Sequence, residues 1–171
     1  RGTEAADGRG AEVLTIELNT RGGSLDTMLA IINEMRASDV PVVVHVAPRN
    51  AIAGSAGAMI TLAGHASAMA PETSIGASTP IDSTGEDLAS DANAKAREIT
   101  KAAIRDYVRP RGEEALAIAE AMVDEAKAVT ASEALDANLI DFVVENVDDL
   151  LESLDGFTVQ MNDGPRTLDT A

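Results

Sequence analysis

The run Val40-Pro41-Val42-Val43-Val44-His45-Val46 is followed by Ala51-Ile52-Ala53-Gly54-Ser55-Ala56-Gly57-Ala58 and then by Ser67-Ala68-Met69-Ala70-Pro71, and together these stretches decide the fold. The first is almost continuously β-branched, the pattern of a strand buried on both faces. Small residues dominate from Ala51 to Ala66, which predicts a turn and then a helix packed very closely against its neighbours. Ser67 to Ala70 reads as a brief strand stopped by Pro71. Strand, helix and strand in this order make a βαβ unit, and repeated units of that kind imply a parallel sheet.

Upstream, Val13–Leu18 is a short strand, and Leu29–Met35 belongs to a helix that starts near Ser24. Arg1–Gly10 is polar and reads as the end of a helix. Downstream, Ile81–Asp91 is polar and acidic, the composition of a mobile loop. A long amphipathic helix follows over Asn93–Val108, ended by Pro110 and Gly112. Further helices are expected over Glu113–Ala126, Ser132–Ala137 and Val147–Leu154, with a strand at Ile140–Val144. The segment after Gly156 is expected as a small hairpin or a linker. The expectation is one α/β domain over residues 1–157, with 158–171 as a C-terminal tail or linker.

Composition narrows the function. The chain has 171 residues, room for one domain with a real core. Its 29 acidic and 13 basic side chains give a net charge of −16, which repels phosphate backbones. Aromatic residues make up 2% of the chain, too few for base-stacking platforms. Nucleic-acid binding is therefore excluded from the candidates. With no Cys and only His45 and His65, neither disulfides nor the usual zinc ligand set is expected, and no cofactor is implied. The acidic loop Asp82, Glu86, Asp87, Asp91 lacks the spacing of a calcium loop, because Gly85 falls at the wrong offset. No apolar run reaches the ~18 residues of a membrane span. The acidic excess and the scarcity of lysine fit either a halophile's surface or a GC-rich genome.

Three features carry chemistry. The first is Leu18-Asn19-Thr20-Arg21-Gly22-Gly23-Ser24, a strand running into paired glycines and a helix start. Such N–H groups can face developing negative charge, although the same pattern also serves as an ordinary turn. The second is Ser55, set among small residues where a helix opens. That suits an exposed nucleophile, and equally a helix cap. The third is Lys95. On a helical wheel it groups with Ile99, Ala102 and Ala103, while Arg97, Lys101 and Arg105 form another arc, so Lys95 is expected on the apolar face. A lysine in water stays protonated at neutral pH, whereas a desolvated one can act as a base. The competing expectation is a lysine snorkelling along the helix start. His45 reads as a packed core residue. His65, ten helical residues from Ser55, is about 15 Å away and out of reach.

Asn19–Gly23, Ala53–Gly57 and the run Met69-Ala70-Pro71-Glu72-Thr73-Ser74-Ile75-Gly76-Ala77 together resemble the N-terminal protease domain of NfeD-type membrane proteins. Those proteins belong to the Clp/crotonase superfamily and are similar to ClpP and the signal peptide peptidase SppA. The resemblance spans about Ala11 to Phe157 and implies a ClpP/crotonase-like fold whose opening strands are absent here. It implies a serine endopeptidase that pairs a serine with a lysine, at the positions of Ser55 and Lys95. No histidine stands near Ser78-Thr79-Pro80, where a Clp-type triad would place one. The oxyanion donors it implies are Gly22 or Gly23 together with Ala56. Arg21 stands where many relatives have Pro. By the same resemblance, substrates are apolar stretches of membrane-associated proteins such as stomatin-like partners. The full-length protein is then membrane-associated, with this domain extracytoplasmic and self-associating as a homodimer or larger homo-oligomer. Two alternatives share the fold: a crotonase-like acyl-CoA enzyme, which needs no nucleophilic serine, and a non-catalytic binding or scaffold domain.

Overall fold

The computed structural model describes residues 2–80 and 89–171. A helix, α1 (Gly2–Asp7), leads into strand β1 (Leu14–Leu18), then α2 (Leu25–Arg36) and β2 (Val42–Val46). Strand β3 (Ile52–Gly54) feeds α3 (Ala56–Ala63), followed by β4 (Ala66–Met69) and β5 (Ser74–Gly76). After the long α4 (Ser90–Val108) and a single 3-10 turn come α5 (Glu113–Asp124), β6 (Ala128–Thr130), α6 (Ala131–Asp136), β7 (Phe142–Val143) and α7 (Val147–Leu154). A hairpin, β8 (Thr158–Met161) and β9 (Gly164–Thr167), ends the fold.

The main sheet has the order β1-β2-β4-β7, and all its pairings are parallel. Every residue of β2 is buried, as its β-branched run requires. Val42, Val44 and Val46 pack into the cluster that holds Met28, Ile32, Met59 and Leu62 from α2 and α3. Val43 points the other way, into a second cluster with Leu150, Leu154, Val159, Met161 and Leu168. The two faces of one strand thus serve two cores, and burying each valine contributes about 1.5–3 kcal/mol. The 158–171 stretch takes the hairpin form, and its Val159, Met161 and Leu168 close the second cluster. The expected mobile loop falls largely on residues 81–88, outside the described residues.

Local signals set the helix starts. Ser24 caps α2, its Oγ accepting from Thr27 N–H at 3.2 Å. Thr130 and Glu133 form a reciprocal capping box at α6. Beyond the main sheet the structure adds an element that the sequence reading did not contain. Strands β3, β5 and β6 form a small mixed sheet. Each is only three residues long, too short for an alternating pattern to register.

Both histidines are in the core. His45 is 1% exposed, with Nε2 at 3.2 Å from the Val144 carbonyl. His65 accepts the Val42 N–H through Nδ1 at 3.0 Å. Burial, and then the positive charge of Arg36, push the His65 pKa down to about 4. The unfolded chain binds that proton nearer pH 6.5, so the stability tied to neutral His65 is present above that pH and lost as pH falls toward 4. Wild-type unfolding free energy is expected to drop by roughly 2 kcal/mol between pH 7 and 5 from this group alone. In urea titrations a His65→Asn variant, less stable at pH 7, is expected to lack that component. Equal pH slopes for the two proteins would remove His65 as the cause.

Candidate active site

Ser55 sits where β3 turns into α3, and its backbone is held in an unusual shape. Its φ of 52° and ψ of −118° are rare for a residue with a side chain, a conformation that costs about 1–3 kcal/mol. Both of its peptide groups are tied down. Its N–H donates to the Gly76 carbonyl at 2.9 Å. Its carbonyl accepts from Ser78 Oγ at 3.0 Å and from Ala58 N–H at 3.0 Å. Ser55 Oγ, by contrast, makes no hydrogen bond among the described residues, and the side chain is partly exposed. The strained turn presents the hydroxyl while fixing the main chain that carries it.

That hydroxyl opens onto a cleft of about 400 Å³ lined by Gly23, Leu25, Met28, Ala56, Met59 and Thr100, among others. Met28 and Met59 are almost fully buried and give the cleft an apolar floor. The paired-glycine turn forms one wall. Gly22 has φ +147°, and a Cβ built there would lie 2.9 Å from Ser55 Cβ. A Cβ at Gly23 would lie 3.8 Å from Ala56 Cβ, in ordinary contact. Two other glycines let the elements close up. A Cβ at Gly54 would come within 2.9 Å of the Arg21 carbonyl oxygen, and one at Gly57 within 2.5 Å of Thr20 Cγ2.

The structure therefore brings Ser55, Gly22, Gly23 and Ala56 together. It also separates the two glycine amides by role. Gly22 N–H donates to Thr20 Oγ1 at 3.2 Å. The Gly23 and Ala56 amides have no acceptor among the described residues, and both residues line the cleft. Ala56 is moreover the first residue of α3, where main-chain N–H groups lack intrahelical partners. These two donors beside an exposed hydroxyl are suited to a tetrahedral oxyanion.

Lys95 is placed differently from the expectation. The inward face of α4 is Thr100, Ile104 and Val108, at i, i+4 and i+8. Lys95 lies on the opposite side of the helix, exposed together with Ala102 and with Ile99 at 49%. The wheel reading is corrected because alanine is indifferent to burial, so Ala102 and Ala103 did not mark the core side. Lys101, expected in solvent, has a side chain only 12% exposed and paired to Glu98 and Asp124. Among the described residues, Ser55 and Lys95 share no hydrogen bond, and Lys95 does not line the cleft. Thr100 does line it, so Lys95 lies about 7.5 Å back along the same helix axis.

An α/β domain with a parallel sheet and a serine on a strained strand-to-helix turn is the class this geometry defines. Residues 1–162 match the family model described as NfeD1b, N-terminal domain, and the chain belongs to that family. The membrane-bound protease PH1510 of Pyrococcus horikoshii is 35% identical over 154 residues, which are 88% of this chain and 34% of that protein. The chain thus spans about a third of that relative's length. Among solved structures it is similar to 1510-N, described as a membrane-bound stomatin-specific protease. A lysine-to-alanine variant of 1510-N in complex with a substrate peptide superposes with a TM-score of 0.88 at 31% identity, covering 99% of this chain and 78% of the other. A serine-to-alanine variant gives 0.87 at 31% identity, covering 99% and 83%. The 1510-N protease from Pyrococcus horikoshii, specific for a stomatin homolog, gives 0.80 at 30% identity, covering 99% and 77%. The parallel α/β fold expected from the sequence is the fold these structures share. Among the described residues, no helix is long and apolar enough to cross a membrane.

Proposed function

We propose that this chain is a serine endopeptidase domain in which Ser55 is the nucleophile and Lys95 the general base. The observation that carries the reading is the turn at Ser55, where a partly exposed hydroxyl stands beside the Gly23 and Ala56 amides. The similarity to a named protease whose serine and lysine have each been replaced in solved structures supports it.

In this mechanism the Lys95 amine takes the proton of Ser55 Oγ as the oxygen bonds to the substrate carbonyl carbon. The carbonyl π pair moves onto oxygen, where the Gly23 and Ala56 amides hold the charge. Collapse breaks the C–N bond, and Lys95 returns the proton to the leaving amine. Water then hydrolyses the acyl-enzyme by the same steps in reverse order. Lys95 stands exposed on the far side of α4 and outside the cleft, so this step requires the start of α4 to turn its amine toward Ser55 Oγ when substrate binds. The apolar floor of Met28 and Met59 favours apolar side chains. Apolar segments of membrane-associated proteins, stomatin-like ones included, are accordingly the proposed substrates.

A fluorophosphonate probe tests the nucleophile directly. Peptide mapping is expected to find the label on Ser55, with cleavage of an apolar peptide lost in parallel. A chain that takes no label and cleaves no peptide would fit the scaffold reading instead. Turnover of an acyl-CoA without labelling would fit the crotonase-like one.

A further inference from the structure

Thr20 belongs to none of the roles above, yet its side chain and main chain connect both halves of the site. Its N–H donates to the Ile52 carbonyl at 2.7 Å, and its carbonyl accepts from Gly54 N–H at 2.9 Å. Thr20 is thus fastened to β3 immediately before the nucleophile. Its hydroxyl then grips the glycine turn from both sides. Oγ1 accepts from Gly22 N–H at 3.2 Å and donates to the Gly22 carbonyl at 3.1 Å. The γ-methyl fills the space that Gly57 leaves at the start of α3.

A turn with two adjacent glycines has many accessible shapes, and in most of them either amide could face the cleft. The Thr20 hydroxyl removes that freedom. It engages the Gly22 amide and leaves Gly23 N–H as the donor that remains on the cleft wall. We propose that Thr20 is a positioning residue that selects which glycine amide serves the oxyanion, acting through the turn and not on substrate. This rests on the reading of Ser55 as nucleophile. A loosened turn still binds peptide through the apolar floor, so the loss falls on the step in which negative charge develops.

The test compares Thr20→Val, which removes the hydroxyl and keeps the branched shape, with Thr20→Ser, which keeps the hydroxyl. With an internally quenched apolar peptide, Thr20→Val is expected to lower kcat by roughly 10–100-fold, less than the 10²–10³ typical of deleting an oxyanion donor outright. KM should stay within about twofold, since the floor is untouched. Fluorophosphonate labelling of Ser55 should slow in parallel, and Thr20→Ser should recover most of both rates. Should Thr20→Val not fold, Thr20→Ala supplies the hydroxyl deletion. Unchanged kcat in the folded deletion variant, a loss confined to KM, or an equal loss in Thr20→Ser would overturn the proposal. Ser55→Ala is run alongside. If that variant stays active, the nucleophile assignment itself falls; if it is inactive while the Thr20 deletion is not, only the role of Thr20 falls.

Discussion

A Ser55→Ala chain is expected to fold as the wild type does and to lose peptide cleavage by roughly 10⁴-fold or more, the scale seen when a serine nucleophile is removed. The two halves of the expectation have separate grounds. Catalytically, among the described hydroxyls that line the cleft, Ser55 is the one on the strained turn immediately before the Ala56 amide. Structurally, the contacts that hold residue 55 run through its main chain, to Gly76 and from Ser78 and Ala58, and alanine keeps them all. The deleted oxygen has no partner among the described residues, so its loss leaves no buried group unsatisfied. Ser55→Gly makes a useful companion. Glycine adopts a φ of 52° without strain, so that variant should be equally inactive yet more stable by about 1 kcal/mol. Thermal unfolding with parallel turnover assays checks both. Near-normal cleavage by Ser55→Ala would remove Ser55 as the nucleophile.

The second large effect is expected at Lys95. Lys95→Ala should lose at least ~10²-fold in peptidase rate, the low end for removing a general base. Lys101→Ala and Lys127→Ala should stay within a few-fold of wild type in the same assay. The structure sharpens that contrast. Lys101 Nζ is 2.6 Å from Glu98 and 2.9 Å from Asp124, and first Glu98, then Asp124, raise its pKa. A lysine engaged by two carboxylates makes a poor proton acceptor. Lys127 is exposed, and what it supplies to the site is its main-chain carbonyl, which accepts from Ala77 N–H at 2.8 Å. An active Lys95→Ala protein, with activity abolished at Lys101 or His45 instead, would overturn the assignment.

The sequence revealed the parallel sheet because Val42–Val46 is apolar at every position, and only a strand covered on both faces uses such a run. It marked the close-packed turn at Ser55 because alanine and glycine crowd both sides of it, and those residues are needed where main chains meet. It did not reveal the β3-β5-β6 sheet, whose three-residue strands leave no period to read. The orientation of α4 was misread for a related reason. Alanines mark neither face, and the side that packs is set by one threonine, one isoleucine and one valine four residues apart. That the Gly22 amide is engaged while the Gly23 amide is not was also out of reach, because it depends on where a hydroxyl two residues away points.

The three glycines at 22, 54 and 57 behave like the keyway of a lock. Each admits a neighbour closer than any β-carbon permits: Ser55, the Arg21 main chain and Thr20 respectively. Tolerance to substitution around Ser55 is therefore expected to be lopsided. A single added methyl at any of the three would press on Ser55, the Arg21 main chain or Thr20 and force it to move. On the opposite side, Met28 and Met59 are long, unbranched and replaceable by other apolar residues at modest cost. Substitutions at that floor are expected to reshape what the cleft accepts while the turn around Ser55 keeps its geometry.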